Sequence, residues 1–91
     1  MKSTDKQEVV NFQIFSFNAA NLKTTWAQIR AKAFASAKGD LSKIRKYFDR
    51  QERLLKSGCK NFATHARTAF RILQAAGAKV VFSGNFTIVV E

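Results

Sequence analysis

Hydrophobic residues in positions 9–17 recur at a spacing of about two, which is typical of an extended chain. One predicted face carries Val10, Phe12 and Ile14, and the other carries Phe15 and Phe17. The stretch is rich in β-branched and aromatic residues and therefore predicts a strand. The preceding residues 1–8 are polar, so we expect a flexible N-terminal arm followed by a single domain over 9–91.

Three segments with the three- and four-residue spacing of helices follow this strand, at 21–38, 41–56 and 62–76. Asn21, Asp40 and Asn61 precede or begin them, and such side chains can accept from an unpaired backbone amide at a helix start. Gly39, Gly58 and Gly77 follow the predicted ends. The predicted inward positions are Leu22, Trp26, Ile29 and Ala33, then Leu41, Ile44, Phe48 and Leu55, and finally Phe62, Ala66, Ala69, Leu73 and Ala76.

The C-terminal residues predict a β-hairpin with strands at 79–82 and 86–90. Gly84-Asn85 suits a two-residue turn, whereas a three-residue loop over 83–85 would reverse which side chains face the core. Because an isolated hairpin is only marginally stable, we expect the N-terminal strand to pair with it. The predicted fold class is α+β: a strand, three helices and a hairpin, with a small three-stranded antiparallel sheet packed on the helices.

Composition supports a folded, strongly basic domain of 91 residues. Hydrophobic residues make up 46% of the chain, including nine Phe, and the net charge is +10. Charge of one sign destabilises a compact fold by self-repulsion, so a polyanionic partner is the simplest reason for it. Nucleic acid, an acidic protein surface or an anionic membrane would serve, and solubility alone is the alternative. No stretch reaches the roughly 18 apolar residues of a membrane span. Among these partners we expect nucleic acid or a protein surface rather than a membrane.

Two stretches contain basic residues and no acid, namely 9–39 and Arg53 to Val90, and the second has more basic residues. In the second predicted helix, Asp49 and Glu52 stand four residues from cations and are expected to pair with them. The third helix has no such acids. Arg can bond bidentately to guanine and Gln to adenine. The predicted nucleic-acid-binding residues are Thr64, Arg67, Thr68, Arg71 and Gln74 on the third helix, Lys60 just before it, and Arg53 and Lys56 at the end of the second.

The segment from Asn61 to Phe82 resembles the second half of winged helix-turn-helix domains. Ala66-Arg67 match the middle of the family's recognition helix, Leu73 and Gly77 match its Leu-x-x-x-Gly stop, and 79–90 match the wing. The resemblance covers about a third of the chain and implies that the third helix enters the major groove, with Thr64, Arg67, Thr68 and Arg71 as contacts. It also implies a possible homodimer. The hairpin tip has no Lys or Arg, so the hairpin could serve the core instead.

Residues suited to catalysis or metal binding are few. His65 is the only histidine and Cys59 the only cysteine, so they supply at most two metal ligands. We predict no cofactor, no metal and no catalytic residue. The single cysteine favours a reducing compartment, and we expect a cytoplasmic protein. Phe34 lies beside basic residues and is either a base-stacking or a packing residue.

Three functions are compatible with the sequence. The first is DNA binding through the third helix, by a regulator or accessory factor. The second is an inhibitor or interaction protein of the kind that phages and plasmids encode, which binds a nucleoprotein or an acidic protein surface. The third is a metal-free ribonuclease toxin, whose site would draw on Tyr47, Arg50, His65 and Arg67.

Overall fold

The computed structural model describes residues 12–91, so the predicted arm 1–8 and the start of the predicted strand lie outside the described residues. Its elements are β1 (Gln13–Ser16), α1 (Leu22–Ala37), α2 (Arg45–Lys56), α3 (Phe62–Ala75), β2 (Val80–Phe82) and β3 (Thr87–Val90). The strands form one antiparallel sheet in the order β1-β3-β2. The predicted α+β fold, with three helices and a three-stranded antiparallel sheet, is confirmed.

Side chains alternate between the two faces of the sheet along each strand, and the two faces differ in burial. On the inner face Phe15, Val80, Ile88 and Val90 are buried. On the outer face Ile14 and Val81 are 68% and 61% exposed, and both are register partners of Val89. Three of these four residues belong to the β2–β3 hairpin, so the strands of the hairpin are part of the core.

The loop of the hairpin differs from both predicted versions. Phe82 pairs with Ile88, and the Ser83 amide donates to the Thr87 carbonyl at 2.9 Å. Three residues, Gly84 to Phe86, therefore remain in the loop. The two-residue turn was wrong because it would place Ser83 opposite Phe86 and so shift the register by one residue.

Helix α1 begins and packs as its hydrophobic spacing predicts. Trp26, Ile29 and Ala33 are buried in the core. Asn21 stands at the N-cap position, but its side chain makes no capping bond there. Its oxygen instead accepts from the Asn18 amide at 3.2 Å. The capping bond predicted for Asn21 was therefore wrong, because Asn18 organises the turn before the helix.

Helix α2 begins at Arg45, four residues later than the predicted start. Asp40 accepts from the Ser42 hydroxyl at 2.8 Å and from the Ser42 amide at 3.2 Å, which favours a separate turn before the helix. These two bonds from Ser42 also hold the pKa of Asp40 below its ordinary value of 3.8. The predicted helix start was wrong because Asp40 caps this turn, while Ile44, which is fully buried, stands at the helix N-cap.

Helix α3 has the ends that the sequence predicts. The Asn61 side chain accepts from the Thr64 amide at 3.3 Å. At the other end Gly77 has a φ of 96°, and the Ala78 amide donates back to the Leu73 carbonyl at 3.0 Å. This left-handed residue after the helix is the Schellman ending, in which glycine avoids the strain of a side chain. The chain turns there and enters β2, so α3 and β2 are held side by side.

Candidate nucleic-acid interface

Helix α3 is the central element of the fold and contacts α1, α2, β2 and β3. Its inner face is closely packed, with Ala66, Ala69, Ile72 and Leu73 all fully buried. A helix anchored on this face cannot roll without exposing apolar surface. The outward residues of α3 are therefore presented in one fixed orientation.

Arg67, Arg71 and Gln74 are exposed on this outward face, as predicted. Together with Phe70 and Phe82 they line an open cleft of about 250 Å³ between α3 and β2. The Phe70 and Phe82 rings stack with their centroids 4.7 Å apart and an angle of 22° between their planes. Five residues thus form one small surface that combines two guanidinium groups, an amide and an aromatic pair. We refer to it as the α3–β2 cleft.

Thr68 does not belong to this outward face. It is only 4% exposed, and its hydroxyl donates to the Thr64 carbonyl at 3.0 Å. Its predicted role as a contact residue was wrong, because position 68 falls on the side of α3 that packs inward. Thr64 is half-buried, and its hydroxyl lies 3.5 Å from the Arg67 guanidinium, which donates to it. Thr64 can therefore orient Arg67.

The remaining predicted contacts lie away from the cleft. Lys60 lines a separate and mainly apolar groove of about 360 Å³, together with Leu54, Cys59 and Phe62. Arg53 and Lys56 are exposed in the last turn of α2. These three cations flank the N-terminal end of α3, whereas the α3–β2 cleft involves the middle and C-terminal part of the helix.

A second cleft, between α1 and α2, also contains phenylalanine and arginine side chains. It has a volume of about 560 Å³ and its lining includes Arg30, Phe34, Arg45 and Phe48. The Phe34 and Phe48 rings stack 6.3 Å apart, and the Arg30 guanidinium lies 5.4 Å from the centre of the Phe48 ring. Phe34 therefore has the packing contact that its sequence position left open. We refer to this site as the α1–α2 cleft.

Two carboxylates distinguish the α1–α2 cleft from the α3–β2 cleft. Asp49 and Glu52 are part of its lining. They reduce the positive potential there and would repel a phosphate. The α3–β2 cleft lies in the acid-free part of the sequence and its lining contains no carboxylate among the described residues. For an anionic ligand, the α3–β2 cleft is therefore the better site.

His65 lies in the core and its exposed fraction is 0%. The Trp26 indole N–H donates to its Nδ1 at 3.0 Å, and its Nε2 lies 3.0 Å from the Cys59 carbonyl. An indole nitrogen can only donate, so the imidazole proton is on Nε2 and is donated to that carbonyl. Both ring nitrogens are occupied and neither reaches the surface. His65 is therefore inaccessible to an RNA substrate, so the ribonuclease hypothesis has no histidine available for proton transfer. Tyr47 and Arg50, the other residues of that hypothesis besides Arg67, lie on α2.

Within residues 12–91 no three or more His, Cys, Asp or Glu residues cluster as metal ligands would. In the same range no helix combines the length and hydrophobicity needed to span a bilayer. The chain matches no protein-family model, no curated protein and no solved structure at a significant level. Functional interpretation therefore depends on the geometry and charge of the site.

Sequence reasoning missed the aromatic half of the α3–β2 cleft. Phe70 is three residues after Arg67 and so lies near it on the helix surface. Phe82 shares the strand face of Val80, two residues earlier. A signal was therefore present for each residue separately. The contact between the Phe70 and Phe82 rings depends on how β2 lies against α3, which helical and strand periodicities do not specify.

Proposed function

We propose that this protein binds DNA through the outward face of α3, with Arg67 and Arg71 as the principal contacts. The observation that carries this proposal is the α3–β2 cleft, where both guanidinium groups are exposed without an acidic neighbour in the lining. Guanidinium groups suit both phosphate oxygens and the O6 and N7 acceptors of guanine. Gln74 adds an amide that can bond to adenine.

The charge of the whole chain supports the same partner. A net charge of +10 on 91 residues attracts a polyanion from a distance and speeds encounter with it. Each phosphate that a cation neutralises releases condensed counterions, which favours binding at low salt. Association through α3 would therefore draw on the charge of the domain, while the cleft provides the contacts.

The proposal is tested by measuring affinity for a duplex DNA at several salt concentrations. The variant is Arg67→Ala with Arg71→Ala. The charge-matched control is Arg45→Ala with Arg50→Ala, which removes the same two charges from exposed positions of α2. A purely charge-driven association would weaken equally in both double variants.

We expect the α3 variant to lose affinity more strongly than the α2 control. For two phosphate contacts, the slope of log affinity against log salt should become less steep by about 1.8. If the two double variants bind duplex DNA equally well, α3 is not the interface. Parallel gel shifts with single-stranded DNA and RNA determine the preferred nucleic acid. If the unmodified protein shifts neither duplex DNA, single-stranded DNA nor RNA at low salt, the proposal is wrong.

A further inference from the structure

We propose that the α3–β2 cleft takes an unpaired base of the bound strand, which stacks on Phe82 while Arg67 and Arg71 hold the adjacent phosphates. This inference rests on the proposed function and specifies the ligand of the same site. It predicts a preference for nucleic acid with single-stranded positions over closed duplex.

The first argument is the position of the Phe82 ring. Phe82 is 44% exposed although it lies on the inner side of the sheet. Its register partner on the same face, Ile88, is fully buried. Phe82 stands at the end of β2, an edge strand, and its ring is held against Phe70. Contact with Phe70 fixes the plane of the ring, so little conformational entropy would be lost when a base stacks on it.

The second argument is the combination of groups in one cleft. Proteins that bind single strands join aromatic rings, on which bases stack, to cations that follow the backbone. Phe82 and two arginines line the same cleft of about 250 Å³. In a closed duplex the faces of the bases are covered by their neighbours, and the grooves present only base edges. The face of Phe82 can therefore stack only on a base that has left the helical stack or was never paired.

The third argument is the contrast with the α1–α2 cleft. Phe34 is 43% exposed and stacks on a second phenylalanine beside arginine, much as Phe82 does. Asp49 and Glu52 in that cleft oppose the approach of a phosphate. An exposed phenylalanine is common by itself, but Phe82 has its ring next to uncompensated cations. Phe34 is consequently a matched control.

The experiment compares a labelled DNA strand of about 12 nucleotides, within the site sizes of single-strand-binding domains, with a duplex of the same sequence. Phe82→Leu keeps an apolar side chain against Phe70 but removes the aromatic face. We expect it to weaken binding of the single strand by about 5- to 150-fold, which corresponds to ~1–3 kcal/mol of base stacking. Duplex affinity should fall much less than single-strand affinity, and the single-strand affinity of Phe34→Leu should stay unchanged.

Phe82→Trp provides the second variant, because an indole offers a larger stacking face. We expect it to retain single-strand affinity, and strand binding should quench its fluorescence more than that of the unmodified protein, whose only indole is the buried Trp26. Melting curves of each variant verify that it is folded. Should Phe82→Leu unfold, the quenching in Phe82→Trp decides alone, and unchanged fluorescence on binding overturns the inference.

Equal effects of Phe82→Leu and Phe34→Leu on single-strand binding would also overturn it, as would an equal loss for single strand and duplex in Phe82→Leu. After either result the proposed DNA binding still stands, provided that the affinity depends on Arg67 and Arg71. If the affinity does not depend on these two arginines, the proposed function itself is refuted. The two proposals therefore fail through different variants.

Discussion

The hydrogen bond between Trp26 and His65 should be one of the strongest determinants of stability in this domain. The indole N–H meets Nδ1 at 3.0 Å, and the two residues are 2% and 0% exposed. Water therefore cannot replace either partner if the other is removed. Trp26→Phe removes the donor while keeping an aromatic ring, which still lies beside Phe17, whose centroid is 5.1 Å from that of the indole.

Two effects set the size of the change in Trp26→Phe. Leaving Nδ1 of His65 as an unsatisfied buried acceptor costs about 1–3 kcal/mol. The space left by the smaller ring costs about 1 kcal/mol more. The sum, about 2–4 kcal/mol, is a large part of the roughly 5–15 kcal/mol by which such a domain is stable. It corresponds to a fall in Tm of roughly 10–30 °C for a chain of this length.

The assay is urea unfolding of a double-mutant cycle that combines Trp26→Phe with His65→Leu. Far-UV circular dichroism is the signal, because Trp26 is the only tryptophan and its removal would abolish the fluorescence change. Once both partners are gone neither polar group is orphaned, so we expect a coupling free energy of about 1–2 kcal/mol. Coupling below about 0.5 kcal/mol would refute the reasoning. A cycle of Phe62→Leu with His65→Leu controls for packing, since Phe62 contacts the imidazole ring without a hydrogen bond.

Two further predictions concern polar side chains elsewhere. Asn61→Ala should lower the free energy of unfolding by about 1 kcal/mol, because it removes the cap on the Thr64 amide. Asn21→Ala should lower it by about 0.5 kcal/mol or less, since Asn21 makes no capping bond. Urea unfolding compares the two variants, and equal losses would contradict the assignment of caps. Gln51→Met should stabilise the domain by about 1 kcal/mol, because Gln51 is 2% exposed and its Oε1 has no hydrogen-bond partner within residues 12–91; a lower Tm in this variant would show that Oε1 is satisfied in solution.

Periodicity was enough to predict most of the helices and strands because most of the buried residues are apolar and follow the spacing of their element. Trp26, Ile29 and Ala33 follow helical spacing, and all three are buried. Errors arose where short polar side chains compete for backbone amides. Asp40 could begin a helix or organise a turn, and its bonds to Ser42 favour the turn. Local sequence does not decide between these outcomes, since both satisfy the same type of amide.

The candidate site was only partly predictable for a different reason. The exposed positions of Arg67 and Arg71 follow from helical spacing alone. The prediction for Thr68 was wrong because a polar residue is not always exposed: a threonine hydroxyl can donate to the carbonyl four residues earlier and then tolerate burial. The Phe70–Phe82 pair required the arrangement of β2 on α3. Tertiary contacts of this kind are absent from any pattern within one element.

Arg67 and Arg71 are four residues apart on α3, where two like charges repel by about 0.2–0.5 kcal/mol. Neither side chain is needed for the core, because the buried face of α3 consists of other residues. A pair of arginines that adds repulsion and no packing therefore supports the proposed binding of a polyanion. Arginines beside carboxylates, as in the α1–α2 cleft, have part of their charge compensated within the protein. Their presence therefore gives no comparable support for an anionic ligand.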